Sequence, residues 1–272
     1  MKTTKLFRNS KTILGKCIRM VGAITLSLSA LSAQANQLSA IQERGELVVA
    51  VPQDFPPFGS VGKDLQPVGY DVDMAAFLAE SMDLKLKLVP VTSANRIPYL
   101  QTGKVDLVIS SMGKNAEREK VVDFSRAYAP FFLGVFGESQ ATVKSPADLA
   151  GKVVGVTRGS VEDLELTKVA PSSVTIQRFE DNNTTISAYL SGQVEFIATG
   201  NLVAAKIAER QSNRDLVSKF MIKNSPCYIG MRKSEPELLS KVNTLVAQGI
   251  QSGKLDELSI KWFKATLPEE LK

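Results

Sequence analysis

Histidine is absent from this 272-residue chain, and cysteine occurs only twice. The first absence removes the commonest general base and the commonest metal ligand. Cys17 lies in a basic N-terminal stretch, which leaves Cys227 as the one thiol of the remainder. A single cysteine forms no internal disulfide, and without histidine it builds neither a zinc site nor a Cys–His nucleophile. No metal and no cofactor is therefore expected. Long apolar runs are equally scarce. Met20 to Leu31 is too short to cross a bilayer as a helix, which takes about 20 apolar residues, and no second such run follows. Low-complexity tracts and polar linkers are missing as well, so the chain after the N-terminal stretch reads as continuous folded structure.

The N-terminus carries Lys2, Lys5, Arg8, Lys11, Lys16 and Arg19 and no acid before the apolar run. Ala33-Gln34-Ala35 then offers small residues at the two positions a signal peptidase reads. A basic segment, an apolar segment and an A-x-A site together predict a secretory signal peptide over residues 1–35, cleaved before Asn36. Cys17 precedes the apolar run and follows Lys16, a poor match to a lipoprotein site, so a periplasmic protein without a lipid anchor is expected. The formal charge of +5 comes from 33 Lys and Arg against 28 Asp and Glu. Six of those bases and none of the acids lie in residues 1–35, which leaves 27 bases, 28 acids and a net charge of −1. The basic balance thus belongs to the targeting segment and gives no reason to expect nucleic acid or an anionic membrane as partner.

Residues 36–272 alternate short apolar runs with helical patterns, which predicts an α/β architecture. Strands are expected at Glu46–Val51, Leu84–Val91, Val105–Ile109, Lys152–Val156, Val174–Phe179 and Val194–Ala198. Helices are expected at Asp71–Ser81, Ile97–Gln101, from Ser160 onward and at Thr184–Leu190. Gly103-Lys104-Val105-Asp106-Leu107 and Gly192-Gln193-Val194-Glu195-Phe196 echo each other as helix-to-strand junctions, which suggests two similar lobes. A C-terminal helix is expected with Ser234 as its cap, Pro236 in its first turn and Leu238, Leu239, Val242, Leu245, Val246 and Ile250 on one face. Gly253 ends it, and a second short helix holds Trp262 and Phe263.

Four motifs follow one another in a recognisable order. Val68-Gly69-Tyr70-Asp71-Val72-Asp73-Met74 resembles the VGFDVDL signature of polar amino-acid-binding proteins. Gln101 to Leu107 resembles that family's helix-to-strand junction, Glu117 to Ser125 its ER-x-K-x-x-DFS motif, and Lys261-Trp262-Phe263 its terminal KWF. The chain thus resembles the periplasmic polar amino-acid-binding proteins of ABC importers (solute-binding protein family 3). That resemblance implies a two-lobed α/β fold of the type II periplasmic-binding-protein kind, with two hinge strands and the ligand in the cleft. Lobe 1 is expected at residues 36–133 and 229–272, and lobe 2 at 134–228. It also implies a receptor rather than an enzyme, an amino acid or related carboxylate as ligand, a membrane permease as partner, and a monomer.

The site residues come from the same resemblance. Arg118 matches the arginine that grips the ligand carboxylate, a task suited to a planar guanidinium. Ser110, Ser111 and Gly113 match the loop completing that cradle, and Phe55 the aromatic packed on the ligand. In the second lobe Thr157, Gly159 and Ser160 match a Gly-Thr-Thr loop closing over the carboxylate, with Val161 offering only its backbone N–H. Ser93-Ala94-Asn95-Arg96-Ile97-Pro98 resembles TS-x-NRIP of the glutamate/aspartate-binding branch, where Ser93 and Arg96 would meet a side-chain carboxylate. Asp71 and Asp73 stand at a helix start, where capping and dipole pairing are expected. One departure concerns the amine. The family aspartate that neutralises an α-ammonium is missing from Thr199-Gly200-Asn201, leaving Asn201 as a neutral acceptor, with Asp181 or another acid in compensation. A non-amino carboxylic acid as ligand, or a cyclohexadienyl/arogenate dehydratase-like enzyme on the same fold with Glu162 or Asp181 as acid, stays open as an alternative.

Overall fold

The computed structural model describes residues 36–209 and 214–272. The expected signal peptide, residues 1–35, lies outside the described residues. In chain order the elements are α1 (Gln37–Arg44), β1 (Glu46–Pro52), β2 (Asp54–Phe55), β3 (Gly59–Val61), β4 (Pro67–Val68), α2 (Tyr70–Ser81), β5 (Lys85–Val91), α3 (Arg96–Gln101), β6 (Leu107–Met112), α4 (Ala116–Glu119), β7 (Val122–Ala129) and β8 (Phe132–Gly137). There follow β9 (Val153–Thr157), α5 (Val161–Val169), β10 (Thr175–Phe179), α6 (Asn182–Leu190), β11 (Phe196–Gly200), α7 (Asn201–Ala208), β12 (Val217–Asn224), β13 (Cys227–Arg232), α8 (Pro236–Gln251) and α9 (Lys254–Phe263).

Two five-stranded sheets share one plan. The first has the order β5-β1-β6-β13-β7, the second β10-β9-β11-β8-β12. In each, a central strand pairs in parallel with two neighbours: β1 with β5 and β6, and β9 with β10 and β11. The fourth strand of each sheet is antiparallel to both of its neighbours. That strand is the segment that has just crossed from the other sheet, β8 after β7 and β13 after β12. The crossings are the short stretches between Ala129 and Phe132 and between Asn224 and Cys227. They touch each other, the Ser225 N–H donating to the Phe131 carbonyl at 3.0 Å.

Of the runs read as strands, the inner β1, β6, β9 and β11 are largely buried, because helices cover both faces of a parallel sheet, whereas the edge strands β5 and β10 stay partly exposed. Against the first sheet, α2 turns Met74, Ala75 and Leu78 inward, and α8 adds Leu238, Val242, Leu245 and Val246, all at most 3 % exposed. This is the helical spacing seen in the sequence, and each such side chain contributes roughly 1.5–3 kcal/mol by leaving water. Gly253 closes α8 in the left-handed conformation at φ +80°. Ser234 does not cap α8. It takes a left-handed φ of +65° and donates its N–H to Asp123 at 3.1 Å, and Glu235 precedes Pro236 with no side-chain cap. The helix expected from Thr184 starts two residues earlier, at Asn182, because Asp181 caps it through the Thr184 N–H at 2.7 Å.

In an open α/β sheet the carboxyl ends of parallel strands form the crevice where ligands sit. Here those ends deliver Phe55 after β1, Ser93 and Arg96 after β5, Ser110 to Arg118 at and after the end of β6, Thr157 to Val161 at the end of β9, and Asn201 after β11.

Candidate functional site

Arg118 is fixed by its own short helix. The Asn115 side chain accepts the Arg118 backbone N–H at 2.9 Å and so caps α4. The guanidinium then donates to the Gly113 carbonyl at 2.7 Å and, across the cleft, to the Gly159 carbonyl at 3.0 Å. Gly159 presents that carbonyl from a left-handed φ of +70°, which favours glycine. An arginine has five N–H donors, so Arg118 retains donors beyond these two bonds. Arg96, the first residue of α3, stands beside it, and its guanidinium makes no hydrogen bond among the described residues. Burial pushes the Arg118 guanidinium down to about 10, helped by the neighbouring Arg96 charge and opposed by Glu162 and Glu165. Burial lowers Arg96 as well, against the attraction of Glu162, Asp54, Asp71 and Tyr128.

Glu162, in the first turn of α5, faces these two cations from the other lobe. Arg96, Arg118 and Glu162 are each 4 % exposed, yet no ion pair within 4.0 Å joins Glu162 to either guanidinium. Burial pushes its carboxyl above the usual range, opposed by its own backbone N–H, Arg96, the Ser160 hydroxyl and Arg118. Six buried side-chain atoms lack a partner among the described residues, and five of them belong to the segments that carry or border the arginines: Arg96 Nε, Glu162 Oε1 and the hydroxyls of Ser110, Ser111 and Ser225. Each unpartnered group costs roughly 1–3 kcal/mol, more when charged.

A cavity of about 220 Å³ opens between the lobes, lined among others by Ser93, Arg96, Met112, Arg118, Gly159 and Leu164. That is below the ~300–1,000 Å³ of drug-sized sites, and suits a metabolite of a few heavy atoms. Four expected residues line it. Phe55, Ser110, Ser111, Gly113, Thr157, Ser160, Val161 and Asn201 lie off its walls.

Several of those have other partners. Ser111 takes a left-handed φ of +43°, and its N–H donates to Asp71 at 2.7 Å. Ser160 caps α5 through the Asp163 N–H at 3.1 Å. The Thr157 hydroxyl meets Asn182 and Thr185, both at 2.8 Å. Asn201 differs most from expectation. Its side-chain oxygen accepts the Phe132 N–H at 3.0 Å and ties α7 to the start of β8, so it serves the backbone. Phe55 lies within an aromatic cluster, 6.1 Å from both Phe58 and Phe131.

The acids at the start of α2 do not cap it. Gly69 precedes the helix without a side-chain cap. Asp71 instead accepts from Ser111 and, at 2.6 Å, from the Tyr128 hydroxyl. Buried completely, its carboxyl is pushed up to about 7 by desolvation, against those two hydrogen bonds and Arg96. Asp73 takes the Lys261 ammonium and the Trp262 indole N–H, both at 2.6 Å, so the GYDVD and KWF motifs meet in space.

Three residues were not foreseen as cleft residues. Asp54 accepts the backbone N–H of Asn182 at 2.7 Å and its side-chain amide at 3.0 Å, a second bridge between the lobes. The Ser225 hydroxyl borders Gly113 from the crossing strand. Phe131, 3 % exposed, lies against Gly200. A Cβ built on Gly200 would overlap that ring, the farthest of three ring carbons being only 2.9 Å away.

Comparison with known proteins agrees with this geometry. The model of the bacterial extracellular solute-binding proteins, family 3, matches residues 47–265. The chain belongs to that family. Among its curated members, the L-cystine-binding protein TcyJ of Escherichia coli (strain K12) is 27 % identical over 249 residues, covering 90 % of this chain and 93 % of TcyJ. The glutamate/aspartate import solute-binding protein of Salmonella typhimurium is 29 % identical, covering 87 % and 82 %. The crystal structure of the ancestral amino acid-binding protein AncCDT-1, a precursor of cyclohexadienyl dehydratase, superposes with a TM-score of 0.77 at 33 % identity, covering 83 % of this chain and 99 % of that one. The family fold is the two-lobed α/β arrangement described above, and this member is a solute-binding protein rather than an enzyme.

Proposed function

We propose that this protein is the periplasmic receptor of an ABC importer and captures a polar, acidic amino acid between its lobes. One observation carries the acidic preference: two buried guanidiniums, Arg96 and Arg118, converge on one cavity, and Arg96 has no protein partner there. A buried cation without an acceptor is strongly unfavourable, so a ligand with two carboxylates gains from both. Arg118 takes one carboxylate through its remaining donors, with the Ser110 and Ser111 hydroxyls beside it. Arg96 takes the other, with Ser93. The glutamate/aspartate-binding relative, named for such ligands, supports the same class. Closure follows from the architecture, because Arg118 belongs to the first lobe and reaches Gly159 of the second. Ligand held at this junction stabilises the closed form, and a permease reads that form. The signal sequence over residues 1–35 supports export, and a monomer suffices because both half-sites lie in one chain.

Titration calorimetry with L-glutamate and L-aspartate tests the proposal. Saturable binding to the wild type is expected, with a loss of about a hundredfold or more in Arg118→Ala, since removing one partner leaves the carboxylate buried and unpaired. Unchanged affinity in Arg118→Ala refutes the clamp. No binding of any proteinogenic amino acid refutes the receptor assignment.

A further inference from the structure

An amino-acid ligand brings an ammonium group, and a buried ammonium needs an acceptor, best a carboxylate. The end of β11 has no room for one. Any side chain at Gly200 would occupy the space of the Phe131 ring, and the neighbouring Asn201 oxygen is held by the Phe132 N–H. The other acids around the cleft are engaged. Asp54 holds Asn182 through both oxygens. Asp71 holds Ser111 and Tyr128, and Asp181 caps α6. Glu117 and Glu165 share Lys168, and Glu180 pairs with Arg158. What remains is Glu162, buried in the first turn of α5 with Oε1 unpartnered.

We propose that Glu162 reads the ligand's ammonium group, taking over within the second lobe the task that Gly200 and Phe131 exclude at the end of β11. This rests on the amino-acid reading above and adds to it where specificity for the amine resides. The charges are complementary: Arg96 and Arg118 in the first lobe meet the carboxylates, and Glu162 in the second meets the ammonium. Since Glu162 and the arginines come from different lobes, amine recognition is completed only when the cleft closes.

The test is calorimetry on wild type and Glu162→Gln, using the twenty L-amino acids and, for the tightest, the same acid with hydrogen in place of the amine (glutarate for L-glutamate). The expected result is a roughly 10- to 150-fold loss for the amino acid in Glu162→Gln, the range of a hydrogen bond to a charged group. The amine-free acid should bind the variant as well as, or better than, the wild type, because a carboxylate facing its own carboxylates has been removed. Glu162→Asp, which keeps the charge one methylene shorter, should retain preference for the amino acid, and it carries the test if the glutamine variant does not fold. Equal loss of both ligands in Glu162→Gln, or loss of neither, overturns the proposal while leaving the receptor assignment intact. Failure of the wild type to bind any amino acid overturns the receptor assignment itself.

Discussion

Gly200→Ala is a substitution whose sign, not only its size, is set by one neighbouring ring. The backbone at Gly200 has φ −81° and ψ 147°, ordinary extended geometry that alanine adopts without strain. Taken alone, Gly→Ala at such a position stabilises by about 0.4–1 kcal/mol, because the unfolded chain loses freedom. Against this stands the overlap of the new methyl group with Phe131. That ring is 3 % exposed and wedged against Phe55 and Phe58, with centroids 6.1 and 5.4 Å away, so it cannot yield without moving the cluster. Overpacking of this kind costs about 1–3 kcal/mol. The two effects leave a net loss of about 1–2 kcal/mol, or a fall in Tm of roughly 2–8 °C for a chain of this size. Urea and thermal melts of wild type, Gly200→Ala, Phe131→Ala and the double variant form a cycle that isolates the clash. Once Phe131 is alanine, Gly200→Ala should turn stabilising. A Gly200→Ala protein that melts higher than the wild type refutes the claim that Phe131 fills this space.

Two further outcomes follow from the cleft. With its carboxyl near pH 7 in the folded protein against an ordinary 3.8, Asp71 takes up a proton on folding across that interval. Its contribution is therefore fully present below about pH 4 and is lost as pH rises through about 7, by up to roughly 4 kcal/mol. Asp71→Asn should flatten that slope when melting is followed from pH 4 to 8, and an unchanged difference between the two ends would count against it. Asp54→Ala removes both bonds to Asn182, which exist only with the lobes together. Ligand affinity should fall about 10- to 100-fold through a smaller closed population, with an increased radius of gyration in small-angle scattering. A normal radius together with normal affinity would show that the bridge does not hold the lobes.

The parts of the molecule governed by local pattern could be read before folding. The inner parallel strands β1, β6, β9 and β11 are dominated by apolar residues because helices cover both sheet faces, the edge strand β5 alternates, and α8 shows its apolar stripe directly. Arg118, Arg96, Ser93 and Gly159 were recognisable because each sits in a motif, and they share the cavity wall. What stayed hidden depends on partners distant in sequence. The strands β7 and β12 carry mixed polar and apolar residues, and β13 takes its place only by inserting between β6 and β7. Ser234 has the composition of a cap, but its N–H is drawn to Asp123, 111 positions away. Glu162 looks like any acid in a first helical turn until Arg96 is placed opposite it. Gly200 reads as a missing acid from the motif alone, and as a steric requirement only once Phe131 lies on top of it.

The hydrogen bond between Ser225 and Phe131 ties the two crossing strands together where they leave one lobe for the other. Two separate straps would let the lobes slide, twist and fold independently. Straps pinned to each other behave as one axle, about which turning is soft and every other displacement is stiff. The bridges made by Arg118 and Asp54 join the same two lobes at other points, so turning about this axle parts them. The separation of the lobes is thereby described by a single angle.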